Sequence, residues 1–305
     1  MGTFKNIMIC LDLSNIDNLL LGYMQYLNQF IEMDNIHIIH VIENFDWDDE
    51  LLESFPDLKN KNDEEFREMI KKELTDTAGR YFDESEVSVD VNLLDGQPTE
   101  CILKELNEVD PDLLVLGKKT QYKGQGILSK KIARYAHSPV LFVPETVTYS
   151  LNKILVPIQF NKSSAKAISF ASSFSTINDA DVVIQNVYEY PKQYFPYMPG
   201  EEYTKKMETH LQKKFDKFVK SHDLDIDECV FTPLKEGKTE DEIYNLSVQQ
   251  QADLIISGAR AKSNTAALLF EEKSEHMANY NFRVPLLIYK DKAENKGLLE
   301  MMLDS

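Results

Sequence analysis

Residues 112–144, DLLVLGKKTQYKGQGILSKKIARYAHSPVLFVP, carry the residue types best suited to holding a phosphate. An apolar strand ends at Gly117. A loop with Gly124 and Gly126 then leads to Ser129 and Lys130 at the start of a short helix. Glycines let a phosphate approach the backbone closely, and the free N–H groups of a helix start bind anions. Ser129 is the expected N-cap. Lys130 and Lys131 follow in the first turn, where each cation opposes the helix dipole by about 0.3–1 kcal/mol, so a bound anion would relieve them. Lys118, Lys119 and Lys123 add to this basic spot on a chain whose formal charge is −18. The competing account has these lysines reach into solvent and pair with nearby carboxylates at little cost.

Other chemistry finds less support. GQGILS is a G-x-G-x-x-S, and Glu145 lies nineteen residues beyond Gly126, which approaches the dinucleotide-binding fingerprint. Against this, Ser129 replaces the third glycine, and eight residues separate Gly117 from Gly126 where the fingerprint makes a tight turn. The six histidines do not cluster, and His37 and His40, three apart on a strand, face opposite sides. Cys10, Cys101 and Cys229 lack metal spacing and read as reduced thiols. There is no Walker A loop, G-x-S-x-G elbow or S-G-G-x-D-S loop, so no catalytic or metal-binding residue is assigned.

The elements that must position the loop alternate regularly. Apolar runs FKNIMICLD, NIHIIHVIE, VSVDVNLL, DLLVLG and VLFVP read as strands, and amphipathic segments between them read as helices, the first capped by Ser14 and running through NIDNLLLGYMQYLNQFIEM. From residue 151 the order returns as NKILVPIQF, ADVVIQNVYEY, DECVFTPL, ADLIISG and VPLLIYK, and the spacing from Gly96 to Gly117 equals that from Gly237 to Gly258. The expected fold is α/β: two tandem doubly wound, Rossmann-like domains, each with a five-stranded parallel sheet, related by a pseudo-twofold. The boundaries expected are 1–147, 148–292 and a C-terminal tail, 293–305. In such sheets ligands sit where the strand order reverses, which sets Asp12, at the end of the first strand, opposite the loop after Gly117.

Composition narrows the partners. At 305 residues, 43% hydrophobic and 28% charged, the chain suits two globular domains. A charge of −18 opposes nucleic-acid binding. No apolar run is long enough to span a bilayer, and the N-terminus lacks a secretory pattern, so a cytoplasmic location away from membranes is expected. The acidic stretch at 43–66, with Trp47, reads as a solvated loop leading into a charged helix.

NIMICLD with its repeat KILVPIQF, IIHVIE, the turn DGQPTECI and the stretch LVLG…GQGILSKKIARYAHSPVLFV together resemble the universal stress protein family, as a tandem two-domain member. The resemblance implies a cytoplasmic stress-response protein. Members that bind ATP share a loop of the form G-x2-G-x9-G-[ST]. Aligned from Pro139, Gly117 and Gly126 take the first and last glycine positions. Thr120 replaces the second glycine, Ile127 stands where the hydroxyl residue belongs, and the loop is about four residues short. Asp12 matches the family's ribose-contacting aspartate, and Val41 its adenine-side strand position. The nucleotide site so implied comprises Asp12, Val41, Gly117, Gly124, Gly126, Ser129 and Lys130, with ATP as a weak ligand at about 0.1 mM or poorer. In the second copy Gln159 replaces the aspartate, and Glu271 and Glu272 would repel a triphosphate at the helix start.

Binding or regulation rather than catalysis is the expected function, through an unidentified protein partner. The alternative is an ATP- or other nucleotide-binding module in the first domain, with slow hydrolysis. A further alternative is a carrier of a small apolar ligand in the second domain, lined by Tyr190, Tyr194, Phe195 and Tyr197. The short apolar strands PVLFVP and PLLIYK are expected to pair within the chain as an internal pseudo-dimer, and a homodimer of such chains is a further expectation.

Overall fold

The structure, a computed structural model, describes residues 4–42, 63–119, 126–189, 200–234, 236–259 and 273–292. The first half runs β1 (Asn6–Cys10), α1 (Ile16–Leu27), β2 (Asn35–Ile42), α2 (Asp63–Phe82), β3 (Ser88–Asp95), α3 (Pro98–Val109), β4 (Leu113–Lys118), α4 (Ile127–Tyr135) and β5 (Val140–Pro144). The second runs β6 (Lys153–Pro157), α5 (Lys162–Asn178), β7 (Asp181–Glu189), α6 (Gly200–His222), β8 (Val230–Leu234), α7 (Thr239–Gln249), β9 (Leu254–Gly258), α8 (Lys273–Asn279) and β10 (Leu286–Tyr289). Trp47, Gly124, the tyrosines at 190–197, Glu271 and Glu272 and the tail lie outside the described residues.

Among the described residues the strands form one sheet in the order β3-β2-β1-β4-β5-β10-β9-β6-β7-β8. Pairing is parallel within each half, and the halves meet in an antiparallel β5–β10 pair. The apolar last strands therefore cover one another within the chain, as expected. Leu141, at the centre of that pair, faces Leu287, its own counterpart in the repeat. Antiparallel pairing of equivalent residues sets a local twofold axis between them.

The central strands read as continuous apolar runs because both faces are covered. β1 and β6 bury their three middle residues, and β5 is buried throughout. One apolar layer joins α1, α2, α5 and α6 to the sheet. The opposite layer joins α3, α4, α7 and α8. Both layers run across the two halves, so the halves share their cores. The outer strands β3 and β8 are more exposed, and Pro233 in β8 lacks an N–H that a central strand would need.

Two local expectations are corrected. α1 ends at Leu27 rather than continuing through Met33, because Asn28 caps it and Phe30 N–H turns back to the Leu27 carbonyl at 2.9 Å. Ser14 does not cap it either. Asn15 is the N-cap residue, with no side-chain cap bond. Asp17, inside the first turn, reaches back instead to the backbone N–H groups of Asp12 and Leu13, ahead of the helix.

Candidate functional site

Each half follows the strand order 3-2-1-4-5, so the reversal falls between β1 and β4 and again between β6 and β9. The first crevice, about 160 Å³, is lined by the end of β1 with Asp12, by Asp17 of α1, by His40 and Val41 of β2, by Pro98 and Ile102 of α3 and by Gly117 of β4. Asp12, Val41 and Gly117 thus come together, drawn from three strands far apart in sequence.

The lip after β1 is bent and latched. Leu13 has φ +60°, a left-handed conformation that costs a non-glycine residue about 1–2 kcal/mol. Asp17 holds the bend by accepting from the Asp12 N–H at 3.2 Å and the Leu13 N–H at 2.8 Å. The second half repeats the device with different atoms. Phe160 has φ +52°, and Ser164 Oγ accepts from the Gln159 N–H at 3.0 Å. Burial pushes the Asp17 carboxyl up to about 6, the Asp12 charge adds to the rise, and the two backbone bonds and His40 oppose it. Burial also pushes Asp12 upward, but the hydrogen bond and charge of Lys119 oppose it, and its carboxyl lies below the usual value.

The basic spot is not assembled as the spacing suggests. Lys119 Nζ lies 2.5 Å from Asp12 Oδ2, so the cation and the Asp12 carboxylate satisfy each other. Lys118 points across to the other half, where Nζ donates to the carbonyls of Ala278, at 2.6 Å, and Tyr280 at the end of α8. A cation is favourable at that negative helix end. Burial lowers the Lys118 ammonium to about 8.

The glycines also serve packing. A Cβ at Gly117 would meet Ile16 Cδ1 at 3.0 Å, so α1 lies close on β4. At Gly258 it would meet the Ser163 carbonyl oxygen at 2.1 Å, the same approach made tighter. Gly126 is the N-cap residue of α4, with φ +62°, and a Cβ there would meet Asn279 Oδ1 of α8 at 2.3 Å. Ser129 is therefore not the cap but the third helical residue, because the left-handed turn at Gly126 starts the helix earlier. Lys130 sits one residue on, its N–H bonded to the Gly126 carbonyl at 2.9 Å. Neither residue lines the described crevice.

Asp17 and His40 were not legible as site residues. His40 Nδ1 lies 2.9 Å from the Leu11 carbonyl and so steadies the end of β1. A signal for Asp17 existed: an acid in the first turn of a helix is a common backbone acceptor.

A family model described as the universal stress protein family matches residues 3–144 and again 150–290. The chain belongs to the universal stress protein family. It carries two family units, and the neighbouring structures agree with the fold. A putative universal stress protein from Pseudomonas aeruginosa UCBPP-PA14 is 14% identical, covers 100% of this chain and 99% of its own, and superposes with a TM-score of 0.65. A universal stress protein from Archaeoglobus fulgidus DSM 4304 is 17% identical, covers 95% of this chain and 98% of its own, and gives 0.61. A member from Arabidopsis thaliana, itself solved with AMP bound, is 16% identical, covers 46% of this chain and 91% of its own, and gives 0.32. No curated protein matches the chain.

The second universal stress unit has its own crevice, smaller at about 50 Å³, lined by Gln159, Asn161, Ser164, Thr239, Glu240 and Ser257 among others. Asn161 caps α5, its Oδ1 accepting from the Ser164 N–H at 2.9 Å and from Ser163 Oγ at 2.8 Å. No helix among the described residues is long and apolar enough to cross a membrane, and no three His, Cys, Asp or Glu side chains there group as metal ligands.

Proposed function

We propose that this universal stress protein acts by binding, in a cytoplasmic regulatory role, and that its first unit holds the nucleoside part of an adenine nucleotide better than its phosphates. Residues 1–147 form that unit in this account. Asp12, Val41 and Gly117 line the first crevice, and in this reading Asp12 takes the ribose and Val41 the base.

The observation that carries the proposal is the engagement of the two lysines at the end of β4. Lys118 is held by the α8 carbonyls and Lys119 by Asp12. A triphosphate gains Lys119 only by breaking that pair, and gains Lys118 only by stripping α8 of its donor. Gly126, which backbone contact to phosphate would require to face open space, faces Asn279 instead. ATP is therefore weak, with Kd of about 0.1 mM or poorer, near −5 kcal/mol.

Calorimetric titration of adenosine and ATP into the wild type, Asp12→Asn and Lys119→Ala tests this, with phosphate release measured alongside. Asp12→Asn should weaken both ligands. Lys119→Ala frees the carboxylate from an exposed pair worth about 0.2–1 kcal/mol, so adenosine should tighten by about two- to fivefold while ATP does not. Turnover of ATP that Asp12→Asn abolishes would contradict a purely binding role.

A further inference from the structure

The first crevice has its charged groups at one end. Strands β2, β1 and β4 lie side by side, so Val41, Asp12 and Gly117 follow one another along its length. Its carboxylates and imidazole, from Asp12, Asp17 and His40, belong to β2 and to the stretch from β1 into α1. From β4 and α4 it receives Leu116, Gly117 and Leu128, which bring no polar side chain. Ile16 of α1 leans over the same end, because a Cβ on Gly117 would meet its Cδ1 at 3.0 Å and its Cγ2 at 3.1 Å.

This order gives a bound nucleoside a direction. With the base beside Val41 and the ribose at Asp12, the next strand along is β4, so the 5′ substituent is directed at Gly117 and Leu128. The two lysines at the end of β4 are committed elsewhere, Lys118 to the carbonyls at the end of α8 and Lys119 to Asp12. A phosphate set against this apolar wall would lose water and gain neither of them. A 5′ hydroxyl would lose a hydrogen bond to water there. A methyl or thioether group loses none, and each carbon it buries raises affinity by about fourfold.

We propose that the first crevice selects adenine nucleosides whose 5′ substituent is uncharged and apolar, and that Leu128 sets the preference. The proposal rests on the nucleoside reading of this crevice. It adds the chemistry of the group that stands beyond the ribose.

Calorimetric titration of adenosine, AMP and 5′-deoxy-5′-methylthioadenosine into the full-length protein tests it. The thioether should bind at least about threefold more tightly than adenosine, and AMP no more tightly than adenosine. Leu128→Ser should cut the thioether preference to less than about twofold while leaving adenosine nearly unchanged, and Leu128→Met should keep it. Thermal melting shows whether each variant is folded, and the wild-type series decides alone where Leu128→Ser is not. The proposal is overturned if adenosine binds and the thioether binds no tighter, if AMP binds best, or if folded Leu128→Ser keeps the full preference. Failure of all three ligands to bind would overturn the nucleoside reading itself, and this preference with it.

Discussion

Asp17 shows how one side chain serves fold and site together. Its two oxygens hold the N–H groups of Asp12 and Leu13 and so fix the strained lip from which Asp12 faces the crevice. Burial raises its carboxyl to about 6, above the unfolded value of about 3.9. The folded state thus holds the proton more tightly. The stability this gives is fully present below about pH 4 and is lost as pH rises through about 6. Asp17→Asn removes that titration while keeping one acceptor. Urea unfolding of both proteins between pH 4.5 and 7.5 should show the wild type gaining on the variant as pH falls, by on the order of 2 kcal/mol. A difference independent of pH would place the titration elsewhere.

The approach of the first helix of each unit to its fourth strand sets the width of both crevices. The two units differ in what a methyl group would meet. At Gly117 it meets the flexible end of Ile16, whereas at Gly258 it meets the Ser163 carbonyl. Gly258→Ala should therefore cost about 1–3 kcal/mol in chemical denaturation and clearly more than Gly117→Ala, as overpacking against backbone does. Equal costs would mean that α5 shifts as freely as the Ile16 side chain. At this scale much was legible before the structure. The order of strands and helices, the repeat and the paired last strands follow from apolar period and turn residues, which are local. The meeting of Asp12, Val41 and Gly117 follows from strand order. The employment of Lys118, Lys119 and Gly126 does not. Their partners are Ala278, Tyr280, Asp12 and Asn279, and three of those four belong to α8 and its end in the other half. A loop pattern compared only with loops of its own kind carries no sign of a neighbouring helix.

Across the whole molecule, the two units share one sheet and two apolar layers. Polar ties cross the boundary too. Besides Lys118, Arg134 of α4 pairs with the buried Glu275 of α8 at 3.5 Å, and Lys290 Nζ donates to the Ala136 carbonyl at 2.5 Å. Heating the wild type in a calorimeter should therefore give a single transition with equal calorimetric and van't Hoff enthalpies. Leu287→Asp, which places an unpaired charge on the local twofold, should cost about 3 kcal/mol or more. Two separate transitions in the wild type would show that the shared cores do not couple. The same crossing contacts bear on function, because α8 occupies the lysine and the glycine through which the first unit would grip a phosphate. The central claim is that the crevice keeps its nucleoside side while its phosphate side has been given over to the fold. Titrating adenosine, AMP and ATP under one set of conditions measures this most directly. The account predicts affinities within about tenfold of one another, none tighter than about 0.1 mM. ATP bound at micromolar Kd, or a hundredfold more tightly than adenosine, would contradict it.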